Sequence, residues 1–243
     1  MRQVGLVLAL VALVGPRAYT DSHDALRDAA LFGRFETLTA RVEMEIHERG
    51  MKTRTLELYV EQDDERHRAL AQVIAPAFLG RMKYLMIGDA RRTDQWIASS
   101  RGVRRVAGSA REERLFDSDF VVEDFTPPRD GEYEVRELPD REVDGEPCRA
   151  FEVAPQGITT GYARRVVYVS ATDRILVRAE YYSASDELLR LFELHERTTV
   201  DGEPFPRRAT MQTVGAGTST EIVLRKVTTD EPIPARVFSR GNL

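Results

Sequence analysis

Residues 38–60 read LTARVEMEIHERGMKTRTLELYV, and their periodicity decides the fold class. Leu38, Ala40, Val42, Met44 and Ile46 alternate with Thr39, Arg41, Glu43, Glu45 and His47, the pattern of a long strand with one buried and one wet face. Arg49-Gly50 supplies a turn, after which Leu56, Leu58 and Val60 alternate with Thr55, Glu57, Tyr59 and Glu61. The two runs form a hairpin. Leu38, Val42, Met44, Ile46, Leu56, Leu58 and Val60 are expected on its apolar face, with Glu43, Glu45 and Glu57 on the other.

The same grammar fills the C-terminal half. Asp144-Gly145 separates strand-like runs at 133–138 and 148–155. Runs at 163–170 and 175–182 flank Ala171-Thr172-Asp173, and 188–196 follows a polar turn at 183–186. Asp201-Gly202 leads into 206–214, and 215–217 into 219–227. Close spacing with short turns predicts an antiparallel meander rather than βαβ units. No fixed repeat appears, which excludes a solenoid or propeller.

The middle reads differently. Residues 95–110 are basic and read as irregular, while 115–125 place Leu115, Phe116, Phe120, Val121, Val122 and Phe125 among acids. That stretch suggests a short helix ended by Pro127-Pro128, either lying over the open face of the sheet or forming a plain surface excursion.

Arg2, the apolar run from Val4 to Val14, the Gly15-Pro16 break and Ala18 have the architecture of a signal peptide, with a run too short to span a bilayer as a helix. Residues 1–18 are therefore expected to be a cleaved signal and 19–243 a single β domain, opening on a short helix over 23–32 closed by Gly33. A net charge of -5 and a pI near 5.6 argue against nucleic-acid binding, and a mean hydropathy of -0.38 against an integral helical bundle. Cys148 is the only cysteine, so no internal disulfide can form.

The usual catalytic constellations are missing from the sequence. His23, His47, His67 and His195 lack metal-ligand spacing, and the His-Glu-Arg triplets at 47–49 and 195–197 read as strand ends. No nucleophile elbow or glycine-rich phosphate loop occurs. The reading is of a protein without enzymatic activity, metal or cofactor. The sheet remains as the functional element. A curved antiparallel sheet has an apolar face that another layer, helices or a ligand must cover, and this chain offers few helices to do so. A closed, fully packed sandwich satisfies the same periodicity.

The chain resembles the LolA-like outer membrane lipoprotein-sorting proteins. The resemblance rests on Gln95-Trp96, Arg104-Arg105-Val106, Gly108-Ser109-Ala110-Arg111, Ser118-Asp119-Phe120 and Glu123-Asp124-Phe125. Gly80-Arg81-Met82-Lys83-Tyr84-Leu85 upstream, and Arg178-Ala179-Glu180-Tyr181-Tyr182, Asp201-Gly202, Phe238-Ser239-Arg240 and Leu243 downstream, extend it over nearly the whole expected mature chain. Ala98-Ser99-Ser100 replaces the family's Leu-Pro, and Asp117-Ser118 its Gly-Ser.

This resemblance implies a mainly β, half-open antiparallel barrel with a few short helices as a lid over an apolar cavity. It implies a periplasmic, monomeric carrier of lipoprotein acyl chains or other lipids, working with an inner-membrane RND- or MMPL-type exporter. Trp96, Arg104, Arg105, Asp119, Phe120, Glu123, Asp124 and Phe125 become lid residues, with Trp96 a lid anchor and the two arginines partners either for Asp119, Glu123 or Asp124 or for a headgroup. An envelope-stress sensor of lipid or lipoprotein and a structural subunit of an envelope transporter are the rival readings.

Overall fold

The computed structural model describes residues 35–63, 66–89, 92–126 and 131–243. The expected signal peptide and the helix over 23–32 lie outside these residues. Alternating sequence becomes strand throughout: β1 Thr37–His47, β2 Met51–Gln62, β3 Arg66–Ala75, β4 Lys83–Asp89, β5 Thr93–Ser99 and β6 Gly102–Arg105 form one meander. β7 Tyr133–Val143, β8 Glu146–Pro155, β9 Arg164–Ser170, β10 Leu176–Tyr182, β11 Leu188–Val200, β12 Glu203–Thr213 and β13 Thr218–Thr229 form a second. β1 pairs antiparallel with β13, with Val42 opposite Leu224, and welds the two into a single 13-stranded sheet in the order β6-β5-β4-β3-β2-β1-β13-β12-β11-β10-β9-β8-β7. The sheet does not close: β6 and β7 are its edges. It is a half-open antiparallel barrel, mainly β, with short helical turns.

The Asp-Gly pairs set two of the turns. Asp144 and Gly145 both take positive φ, 50° and 84°, as do Asp201 and Gly202 at 49° and 86°, the backbone that a tight two-residue hairpin needs.

Two sequence expectations are corrected. Residues 95–110 are not irregular, because β5 and β6 occupy much of them. β5 lacks a period-two signature because Asp94, Gln95, Trp96 and Ala98 are buried on both of its faces. His195 does not end a strand but lies within β11, on its exposed side.

The main core lines one face of the sheet from β1–β4 through β8–β13. Two smaller clusters lie on the opposite, outer face. Leu70, Leu85 and Trp96 pack there against Phe238 of the C-terminal segment, and Val143, Cys148 and Val177 pack under β7–β10. Burial pushes the Cys148 thiol up to about 11, so it is an inert packing group.

Candidate functional site

Leu38, Val42, Met44, Ile46, Leu56, Leu58 and Val60 are all buried and share one apolar face with Val73, Met86, Phe151, Phe192, Met211 and Leu224 from other strands. Glu43 and Glu45 point outward into solvent, as the alternation requires.

Residues 106–126 run from edge strand β6 toward edge strand β7 and lie on that apolar face. Leu115, Phe116, Phe120 and Val122 are buried within the same cluster, and Phe125 packs against it. The rings of Phe120 and Phe125 meet at 5.8 Å. This strap is not the short helix expected over 115–125. It is a chain of 3-10 turns, Gly108–Glu112, Leu115–Asp117 and Val122–Phe125. Phe116 and Asp117 take φ of 56° and 61°, and two successive left-handed residues interrupt any α-helix there.

Polar latches hold the strap down. The Asp119 carboxylate is 1% exposed and accepts hydroxyl hydrogen bonds from Thr213 and Thr220, each at 2.7 Å, and from Thr218. The Asp119 backbone N–H donates to the Thr220 Oγ1 at 2.9 Å. These threonines sit at the β12–β13 hairpin, so one side chain ties the strap to the middle of the sheet. Asp124 forms a bidentate pair with Arg190 of β11, accepts from the Val121 N–H at 2.8 Å and from the Tyr181 hydroxyl at 3.3 Å. Burial works against the charged Arg190, but Asp124, joined by Tyr181 and Glu123, raises its pKa and holds the guanidinium protonated.

Glu123 takes hydroxyl hydrogen bonds from Tyr162 at 2.7 Å and Tyr133 at 3.0 Å, both on its Oε1. Burial raises its affinity for a proton; the two tyrosines and Arg165 only partly offset that, and Asp124 adds to it. On the other flank, Arg114 reaches Glu48 at 2.9 Å and Arg54 reaches Asp117 at 3.4 Å, tying the strap to the β1–β2 turn and to β2.

Arg104 and Arg105 do not pair with Asp119, Glu123 or Asp124. Arg104 pairs with Glu113, and Arg105 with Asp94, because β6 is an edge strand hydrogen-bonded to β5 and its side chains reach local acids. Trp96 is likewise separate from the strap. Its β5 position points it to the outer face, where Arg240 lies 5.3 Å from its ring centroid. Phe120, Asp119, Glu123, Asp124 and Phe125 are the signature residues that the fold brings together. Their partners Arg190, Tyr133, Tyr162 and the three threonines were missed. These partners lie 10 to 101 residues from the strap acids they contact, and no local pattern marks them.

Among the described residues no helix is long and apolar enough to cross a membrane, and no group of three or more His, Cys, Asp or Glu could hold a metal ion.

The class that this geometry defines is a fold class: an open antiparallel half-barrel whose apolar face lies under a strap running from edge strand β6 toward β7. A family model described as "Uncharacterized protein"-like matches residues 65–243, and the chain belongs to that family. It is similar to a DUF1329 family protein from Desulfovibrio piger, at 24% identity and a TM-score of 0.82, with 91% of this chain and 97% of that one covered. It is similar to a domain assigned as an outer membrane lipoprotein-sorting protein from Vibrio parahaemolyticus, at 18% identity, a TM-score of 0.80 and coverage of 90% and 95%. A LolA superfamily protein from Nitrosomonas europaea matches at 16% identity, a TM-score of 0.69 and coverage of 89% and 96%. Identities of this size establish a common fold. No curated protein matches the chain.

Proposed function

We propose that this protein is a periplasmic carrier that takes the acyl chains of lipoproteins or other lipids onto its concave face, beneath the 106–126 strap, and shuttles them toward the outer membrane without chemical turnover. An inner-membrane RND- or MMPL-type exporter is the proposed donor. The carrying observation is the nature of the cover. Among the described residues, a continuous apolar sheet face is covered by short 3-10 turns held at discrete polar latches rather than by a second sheet or a long helix. The lipoprotein-sorting assignment of the Vibrio parahaemolyticus domain supports the same reading.

Magnitudes favour exchange between strap and cargo. Burying an acyl chain of about sixteen carbons is worth roughly 12 kcal/mol at about 0.8 kcal/mol per CH2. The five strap side chains are worth about 7–15 kcal/mol together at about 1.5–3 each. The apolar contributions of cargo and strap are comparable, so exchange between them turns on release of the polar latches.

Native mass spectrometry of the exported protein tests the reading. Co-purifying lipid, and saturable uptake of a long-chain fatty-acid probe with the lipid recovered unaltered, are expected. A protein that never takes up the probe would instead be a structural subunit, and hydrolysis of the lipid would overturn the carrier reading.

A further inference from the structure

The antiparallel meander sends its connections alternately to two rims, and the rims differ in chemistry. At one rim lie the β1–β2, β3–β4 and β5–β6 connections, with the β12–β13 hairpin beside β1–β2 because His47 pairs with Ser219. The large hydrophobic residues most exposed among those described all fall at this end: Phe78 at 83%, Met51 at 64%, Val103 at 50% and Val214 at 45%. Each of the first three has an exposed arginine two or three residues away, Arg81, Arg49 and Arg101, and none of these arginines has an acidic partner among the described residues. Glu48, next to Arg49 in sequence, is already engaged by Lys52 and Arg114. Farther along the rim Asp186 is held by Arg164, and Glu187 accepts from the Ser185 hydroxyl.

The opposite rim carries acids at its turns, two of them paired: Asp63 with Arg66 and Asp173 with Arg197. Asp63, Asp89, Asp144, Asp173 and Asp201 stand at its five connections, and Asp230 and Glu231 follow β13. The Asp-Gly backbone explains the residue type at Asp144 and Asp201, but their charge acts regardless. Three successive turns that each offer an apolar tip and an unpaired arginine match the headgroup zone of a bilayer. The tip enters the acyl boundary while the guanidinium meets lipid phosphates. The acidic rim orients a molecule of net charge -5 so that only the basic end approaches an anionic surface.

We propose that the rim carrying Met51, Phe78 and Val103 with Arg49, Arg81 and Arg101 docks the protein on an anionic lipid bilayer. This surface is separate from the concave face, and its test is independent of whether that face carries lipid. The test is co-sedimentation with phosphatidylcholine vesicles made with and without phosphatidylglycerol. All variants are compared in one purified form, so that any contribution of the N-terminal apolar run cancels. Wild type is expected to bind phosphatidylglycerol vesicles more tightly, with affinity falling as salt rises. The triple variant Arg49→Gln, Arg81→Gln, Arg101→Gln should lose about 100-fold on phosphatidylglycerol vesicles, about fivefold per cation, and little on phosphatidylcholine alone. The triple variant Met51→Ser, Phe78→Ser, Val103→Ser should lose binding to both. All six side chains are exposed, so unchanged melting temperatures and unchanged fatty-acid probe uptake are expected of both variants. Absence of vesicle binding by wild type, binding that survives both triple variants, or a rim that captures a protein and not lipid would each overturn the proposal.

Discussion

Arg190 closes on Asp124 with both terminal guanidinium nitrogens, Nη1 standing 3.2 Å from Oδ1, and its Nη2 also donates to the Asp119 carbonyl oxygen at 3.1 Å. One side chain of β11 thus grips the strap at two points five residues apart. Asp124 is nearly buried, and Arg190 is its cationic partner. Arg190→Met is expected to cost about 3–5 kcal/mol, because it leaves a buried carboxylate unpaired. The double variant Arg190→Met with Asp124→Leu should recover much of that loss, since neither charge remains. Denaturant titrations of the four proteins form the cycle. Equal stability of the single and double variants would show that the pair does not hold the strap.

Asp119 makes a different latch, with hydroxyls rather than a cation as donors. Asp119→Ala strands three threonine hydroxyls and should cost about 3–5 kcal/mol, given about 1.5–3 kcal/mol for a hydrogen bond to a charged group and incomplete additivity. Asp119→Asn keeps one acceptor oxygen and should cost about 1–3 kcal/mol. Both variants should also speed amide hydrogen exchange through 115–125, measured by mass spectrometry, while β1 and β13 stay protected. Uniform acceleration over the whole sheet would mean that Asp119 supports the fold and not the strap in particular.

The sheet was legible in the sequence wherever one face is wet. Leu38 to Val60 alternate because Glu43 and Glu45 face water, and Asp144-Gly145 and Asp201-Gly202 announce their turns. Legibility failed where both faces are covered. Trp96 and Ala98 of β5 are buried like Asp94 and Gln95, so no alternation survives. It failed again at the strap, whose apolar residues suggested a helix. Left-handed φ at Phe116 and Asp117 carries no reliable sequence mark when neither residue is glycine. The acids of the strap were found because they cluster in sequence. Arg190 and Thr220 were not, because only folding brings them there.

The two faces of the sheet give a discriminating pair of substitutions. Leu58→Glu places a carboxylate on the concave face, where it must be desolvated or protonated, and should lower fatty-acid probe affinity at least tenfold, about 1.4 kcal/mol. Trp96→Phe acts on the outer face, loosening contacts with Phe238 and Arg240. It should lower stability by about 1–2 kcal/mol and leave probe affinity unchanged. Fluorescence titration with thermal melts of each variant checks both outcomes. A well-folded Leu58→Glu protein with full affinity would refute the concave face as the binding surface.

Glu123 gives the strap a pH dependence whose sign is fixed by its environment. Burial is the largest influence and raises its pKa above the ordinary value of 4.5, so the folded protein holds this proton more tightly than the unfolded chain. The stabilisation from this group is therefore complete below the ordinary carboxyl range and is lost as pH rises through the raised folded value. Tyr133 is itself pushed up to about 12 by burial, and Tyr162 is raised further, so both remain neutral donors to Glu123 across this interval. Glu123→Gln keeps the acceptor Oε1 for both hydroxyls and removes the titration. The stability of the variant relative to wild type should increase with pH from 4.5 upward, by at most about 1.4 kcal/mol per pH unit, and then level off. Thermal melts of the two proteins across pH 4.5–8 measure that difference. A difference that stays constant would mean that Glu123 is ionised throughout, held by Arg165 and the tyrosines against its burial, and that the strap carries no proton-linked latch at this position.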